Sequence, residues 1–412
     1  MTPGGCTKFW KCSPLLSACD FARVRTSLVL EACKWDPQVG DVGTVAPFAL
    51  VLRAEAWREL AGLAERLARE AEAAEGEILK HPELLGRLGL PARVRRVLTS
   101  SASWTPAAAR VVRFDFHPTA DGWRISEANA DVPGGYAEAW ELSQLMSEYV
   151  PGSVPAGDPA GVLAQAIVAR VEGSGPVGLL AATGFMEDQQ VVAYLAARLE
   201  RLGCRTRRLH PRQVRWVGGR AYLDRGGPLG ALVRFYQGEW LAGLPRGVDW
   251  TQFLRGGVTP VCNPAAALVV ESKRFPLVWD ALATPLSTWR MLLPETRAPG
   301  RAALRGDGDW VLKAAFSNTG DDVLIPGLAD RRQWRHSALA AWLQPSGWLV
   351  QRRFDALAVA TPLGAMYPCL GVYTVDGRAA GLYGRLSPHP WINYEAIDVA
   401  VLITASIGDN LP

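Results

Sequence analysis

The chain has 412 residues, 49% hydrophobic and 20% charged, with a formal net charge of +4 at pH 7. A chain of this length and balance buries sizeable cores and is expected to form two or three closely associated subdomains. Basic residues lie beside acids instead of clustering with aromatics, which argues against a nucleic-acid footprint, and no apolar run reaches the roughly eighteen residues of a membrane span.

Residues 1–34 carry Cys6, Cys12, Cys19 and Cys33 at irregular spacing with no C-x2-C pair, so a structural zinc is disfavoured. Leu16-Ser17-Ala18-Cys19 resembles a lipoprotein cleavage box, but the apolar stretch before it is far too short for a signal peptide. The odd count of seven cysteines and the wide separation of Cys204, Cys262 and Cys369 point to free thiols and a cytoplasmic chain. A disordered segment and an artefact of an early start codon both stand open for residues 1–34. Residues 54–80 follow as a long amphipathic helix, with Trp57, Leu60, Leu63, Leu67, Ala71, Ala74 and Ile78 tracing one apolar stripe.

In the next segment Arg113-Phe114-Asp115 and Glu127-Ala128-Asn129 flank a turn signal at 117–122, which predicts an antiparallel hairpin. Alternation puts Arg113 and Asp115 on one face and Phe114 and Phe116 on the other, while Ile125, Glu127 and Asn129 share a face of the second strand. Asp115, Glu127 and Asn129 then form a candidate set of hard oxygen ligands for Mg2+. A solvated hairpin face with ordinary charges is the competing reading.

A Pro- and Gly-rich connector at 151–159 precedes a strand at 177–180, a helix at 187–202 and a strand at 204–209, a β-α-β unit. From Pro264 a helix is expected to carry Lys273, and alternating strand and loop signals occupy 310–351. Lysine is scarce here. Only Lys8, Lys11, Lys34, Lys80, Lys273 and Lys313 stand among 44 basic residues, so the last two need a reason. A lysine ammonium reaches between nucleotide phosphates as a compact point charge, a role a planar guanidinium does not simply replace. Lys313 ends the run Trp310-Val311-Leu312 and precedes a small polar loop around Gly320, whose backbone amides are suited to covering phosphate. Neither a P-loop nor a G-x-G-x-x-G fingerprint is present, which disfavours a nicotinamide-linked oxidoreductase built on the β-α-β unit.

Two lysines, a glycine-containing loop and a magnesium triad match ATP-grasp enzymes, with the acidic ligands before the lysines instead of after them. That inverted order resembles the circularly permuted ATP-grasp domain of the glutathionylspermidine synthase family, over roughly residues 35–403. Further matching pieces are Trp35-Asp36-Pro37, Pro133-Gly134-Gly135, Phe185-Met186-Glu187-Asp188-Gln189, Arg234-Phe235-Tyr236, Asn263-Pro264, Gly371-Val372-Tyr373 and Gly381-Leu382-Tyr383-Gly384-Arg385.

The resemblance implies an α/β (α+β) fold with ATP-grasp architecture in permuted order and a small open-sheet pre-ATP-grasp subdomain. Divided on that basis, residues 35–150 hold the metal hairpin, 151–260 the open-sheet subdomain and 261–412 the ATP-binding part, with 1–34 unassigned. It implies an ATP-dependent carboxylate-amine ligase acting through an acyl phosphate, with Mg2+ and ATP required and with a small-molecule or peptide carboxylate and an amine, a polyamine in the family, as substrates. Lys273, Lys313, Gly320, Gln351 and Arg234 would bind ATP, Gln351 near the adenine. Arg113 and Arg385 would stabilise charge in catalysis, and Glu187 and Asp188 would face the amine. Three alternatives stand: a surface turn for Arg385, helix-dipole acids for Glu187 and Asp188, and a catalytically silent nucleotide-binding scaffold for the whole. After Asn129 the chain reads Ala130-Asp131-Val132 where glutathione-using members place small hydroxyl residues, so the acid is left open.

Overall fold

The computed structural model describes residues 9–39, 42–100, 109–306, 309–317 and 323–404. Among them the largest element is a nine-stranded sheet whose main path runs Trp10–Cys12, Val45–Leu52, Ile397–Thr404, Arg378–Ser387, Gly364–Val375, Val111–Thr119, Gly122–Asn129. Only Val45–Leu52 and Ile397–Thr404 run parallel along that path; every other neighbour is antiparallel. The two ends of the chain therefore share one sheet, which the consecutive segments expected from sequence did not convey.

Among residues 9–34 the structure describes a strand and a helix. Trp10–Cys12 adds to the sheet edge, and Ser17 caps the helix Ala18–Glu31 by accepting from the Asp20 amide, with Val24 and Leu28 buried beneath it. The 151–159 stretch is likewise more than a connector, since Ser153–Pro155 pairs with Ile397–Thr404.

The predicted long helix spans Ala54–Ile78, and Leu60, Leu67, Ala71, Ala74 and Ile78 are each 0% exposed. Its stripe shares a core with Phe114, Phe116, Leu370 and Val372, so it covers one face of the main sheet. Each fully buried leucine there contributes about 1.5–3 kcal/mol. The opposite face packs a second core, in which Val45, Val111, Val375 and Leu402 meet Leu142 and Leu163, and the polar side chains of Arg113 and Asp115 are set beside it.

Two four-stranded sheets continue the frame, beside two-stranded ribbons of Val214–Val217 with Arg220–Leu223 and Gln38–Val39 with Val42–Gly43. Val261–Cys262, Ala231–Phe235, Val177–Ala181 and Thr206–Leu209 form an all-parallel open sheet around the predicted β-α-β unit, whose helix is Met186–Arg201. Thr296–Arg297, Trp348–Arg352, Trp310–Ala314 and Val323–Leu324 form an antiparallel sheet that carries Lys313. A helix at Arg331–Leu343 lies within the stretch expected to hold only strands and loops. Its apolar signal is thin: only Ser337 and Ala341 are buried, while Leu339, Trp342 and Leu343 face outward.

Candidate active site

The hairpin that anchors the site is Val111–Thr119 with Gly122–Asn129, pairing Arg113 opposite Asn129 and Asp115 opposite Glu127. The next pair is Phe116 with Ile125, so Ser126 is an extra residue and forms a β-bulge. An extra residue inverts the alternation. The expectation that Ile125 shares a face with Glu127 and Asn129 is corrected: Ile125 turns into the core with Phe114 and Phe116, all 0% exposed.

Asp115 is 1% exposed and sits in a nest of donors, which rules out the solvated-face reading. Its Oδ1 accepts from Arg113 Nε at 2.8 Å; its Oδ2 accepts from Arg113 Nη2 at 3.1 Å, Arg385 Nη2 at 2.6 Å and Asn129 Nδ2 at 3.2 Å. Burial alone would raise this carboxyl, but the two guanidiniums outweigh it and hold it well below the usual carboxylate range. Gly371 is the register partner of Asp115, and a Cβ there would come within 2.7 Å of Arg113 Cδ. Glycine at that strand position is what admits the arginine. Arg113 also donates to the Gly134 carbonyl at 2.8 Å, and Arg385 lies within the strand Arg378–Ser387, not in a surface turn.

The late lysines arrive at the same hairpin. Lys273 does not lie on a helix as expected: the helix Ala267–Glu271 ends first, and the turn after it aims Lys273 Nζ at Glu127 Oε2, 3.2 Å away, and at the Ser317 carbonyl, 3.0 Å away. Lys313, 6% exposed, donates to the Ser126 carbonyl at 3.2 Å and to Gln351 Oε1 at 2.8 Å. Two successive hairpin residues thus take one ammonium each. Burial pushes the Lys313 ammonium down to about 8 against the pull of Glu127, with Lys273 adding to the fall. For Lys273 the carboxylates of Glu127 and Glu271 outweigh burial and raise it.

The remaining expected residues are placed as follows. Gln351 is 4% exposed, with Oε1 on Lys313 and Nε2 donating to Thr296 Oγ1 at 3.2 Å, so its side chain supports the lysine. Gly320 lies outside the described residues. Glu187 and Asp188 open the helix Met186–Arg201, Glu187 exposed and Asp188 half-buried. Burial and the adjacent Glu187 push Asp188 up to about 7.

Arg234, expected near nucleotide, is engaged elsewhere. At 1% exposure it forms a two-pronged ion pair with Asp131 and donates to the Tyr236 carbonyl at 2.8 Å. Removing one partner strands the other charge in the interior. Arg234→Ala is therefore expected to cost about 3–5 kcal/mol of folding stability, measured by urea denaturation, without a matching loss of nucleotide affinity in the folded fraction.

Sequence reasoning missed several supporting residues. His117, 5% exposed, lies 3.0 Å from Ser126 Oγ through Nε2, and burial lowers it to about 4, leaving a neutral ring at the bulge. Asn263 accepts from the Val111 amide and donates to the Val111, Ala130 and Asp131 carbonyls, tying the open sheet to the hairpin. Glu271 Oε2 accepts from the Ala130 and Asp131 amides at 2.6 and 2.9 Å. Only the Asn263-Pro264 match hinted at any of these.

The donor chemistry fits Mg2+ through Glu127 and Asn129. Glu127 is 26% exposed at its side chain, and Asn129 uses Nδ2 on Asp115, which turns its oxygen the other way. Asp115, by contrast, has its oxygens engaged by two arginines, so it reaches a cation only by releasing one of them.

Comparison with known proteins bears on the fold and the family. A solved glutathione synthetase-like effector from Globodera pallida shares the fold with a TM-score of 0.58 at 11% identity, over 86% of this chain and 88% of that one. A putative gamma-glutamylcysteine synthetase from Methylobacillus flagellatus matches with a TM-score of 0.45 at 13% identity, over 78% of this chain and 88% of that one. No curated protein sequence matches. The sequence profile of the glutathionylspermidine synthase preATP-grasp family covers residues 48–397. With its mixed α/β fold, its open parallel sheet and its hairpin facing two lysines, the chain belongs to the glutathionylspermidine synthase preATP-grasp family, a family of ATP-grasp-type ligases.

Proposed function

We propose that the chain is an ADP-forming ligase that joins a carboxylic acid to an amine through an acyl phosphate. One observation carries the reading: the early hairpin and both late lysines meet at Ser126 and Glu127, where a triphosphate would find two ammonium groups beside hard oxygen ligands. Lys273 and Lys313 neutralise phosphate oxygens, which lets the substrate carboxylate approach the terminal phosphorus in line as ADP departs. The amine nitrogen then attacks the acyl carbon, phosphate leaves, and the nitrogen loses its proton. Arg385, 15% exposed at its side chain, is the guanidinium nearer to solvent on Asp115 and the one available to the transferring phosphoryl oxygens, while Arg113 anchors the Gly134 loop. Glu127 and Asn129 would hold Mg2+, which would supply further charge neutralisation to a bound triphosphate. Incubation with ATP, Mg2+ and pooled acids, with and without amines, tests the reading: ADP release that requires both substrates supports it, and nucleotide binding without turnover refutes it.

Glu187 and Asp188 provide the cation-binding side of the acceptor. Phe185 stands beside them, its ring 5.4 Å from that of Trp240. Only the ionised carboxylate attracts an ammonium, and Asp188 titrates at about 7. The KM for the amine is therefore expected to fall as pH rises from 6 to 8, and Asp188→Asn to flatten that dependence. Glu187→Ala is expected to raise the same KM by about tenfold while changing the KM for ATP little. A KM for amine that is unchanged in both variants removes this assignment.

A further inference from the structure

Lys34 lies outside the region matched by the family, residues 48–397, and has no part in the roles assigned above. The helix Ala18–Glu31 stops at Ala32, Cys33 adopts a left-handed φ of 58°, and the turn carries Lys34 inward to 6% exposure. Its ammonium lies 3.0 Å from Asp36 Oδ1, 2.8 Å from Glu138 Oε1 and 2.9 Å from Asp398 Oδ2. Three carboxylates from three distant stretches of chain converge on one cation.

The contacts continue into the site. Asp398 Oδ1 accepts from the Tyr383 hydroxyl at 2.6 Å, and the Tyr383 ring lies 5.4 Å from Arg113 Cζ and 5.3 Å from Arg385 Cζ. Those are the two guanidiniums that hold Asp115. Gly135, at φ +94°, also packs close to the Tyr383 ring, where a Cβ would come within 2.7 Å of it. The turn is also clamped to the helix of the acidic pair, because the Trp35 and Asp36 amides both donate to Gln190 Oε1.

We propose that Lys34 is a positioning residue of the ligase site: a built-in ammonium that fills an internal carboxylate pocket and, through Asp398 and Tyr383, sets the two arginines on Asp115. The proposal rests on the function above and adds to it a contribution from the amino-terminal segment. Without this ammonium, Asp36, Glu138 and Asp398 repel one another or take up protons, and Asp398 no longer fixes the Tyr383 hydroxyl.

Lys34→Gly in the full chain removes four carbons and the ammonium, leaving a carboxylate-lined space the size of butylammonium, and that salt is the probe. Butylammonium chloride is expected to raise the melting temperature of the variant saturably, with no such rise in the wild type and none with tetramethylammonium at equal ionic strength. In the ADP assay the variant is expected to lose at least about tenfold in kcat with the KM for ATP changed less than about threefold. The ratio of variant to wild-type turnover then recovers as butylammonium is added, a comparison that cancels any use of the probe as an acceptor. Absence of a butylammonium-specific shift, or a kcat within about twofold of wild type, overturns the proposal. Should Lys34→Gly fold only in the presence of butylammonium, that result supports the pocket; should it not fold at all, Lys34→Met keeps the stem without the charge, and full turnover in that variant overturns the proposal. A wild-type chain that forms no ADP with any acid and amine refutes the ligase reading instead, and the melting comparison alone then decides the role of Lys34.

Discussion

Lys313→Ala is expected to weaken ATP binding by about 10- to 150-fold, the equivalent of one buried charge-assisted hydrogen bond of about 1.5–3 kcal/mol. Lys313 is 6% exposed and is held against the Ser126 carbonyl and Gln351, so a phosphate that reaches it meets an ammonium already stripped of water. The same burial lowers it to about 8, which gives the binding a pH signature. Below pH 8 the free protein already carries the proton that phosphate needs. Above pH 8 that proton must be taken up on binding, so apparent affinity falls by up to about tenfold per pH unit. Isothermal titration of a non-hydrolysable ATP analogue between pH 7.5 and 9.5 measures both effects. Equal affinity in wild type and Lys313→Ala, or a wild type with no decline above pH 8, removes Lys313 from the nucleotide site.

Asp115→Ala is expected to abolish turnover and to cost about 3–5 kcal/mol of folding stability. The carboxylate is 1% exposed and is the shared partner of Arg113 and Arg385, so its loss leaves two guanidiniums close together without their counter-charge. Asp115→Asn keeps the shape and one acceptor oxygen and is expected to recover part of the stability but not the activity. Asn129→Ala supplies the contrast, since it removes only a 3.2 Å neutral donor from Asp115 and is expected to destabilise by about 1 kcal/mol. Urea denaturation ranks the three variants. An Asp115→Ala protein as stable as wild type would show that the arginines find other partners.

The hairpin, the long helix and the β-α-β unit were legible because each is a local pattern: period-two alternation around Phe114 and Phe116, an apolar stripe from Leu60 to Ile78, and a strand-helix-strand rhythm around Val177–Ala181. Such patterns involve residues a few positions apart, and local sterics with burial suffice to fix them. The bulge at Ser126 was not legible, because nothing in Ile125-Ser126-Glu127 marks an insertion; the demand of the core for Ile125 produces it. Arg234 and Arg385 show the same limit from the side of charge. Both are arginines at the end of an apolar run, yet one is closed into a pair with Asp131 and the other opens onto Asp115.

By itself the sequence determined the chemistry on offer: which residues are hard oxygen donors, which two late lysines are exceptional in an arginine-rich chain, and which stretches alternate or turn. Only the tertiary structure decided which of those charges face each other. Lys273 reaches Glu127, and Lys34 reaches Asp398, because sheet pairing brings the two ends of the chain together across hundreds of residues. The physical reason is that a charge in water is indifferent to distant partners, whereas a charge taken into the interior must find its counter-charge there, and which one it finds is set by long-range strand order.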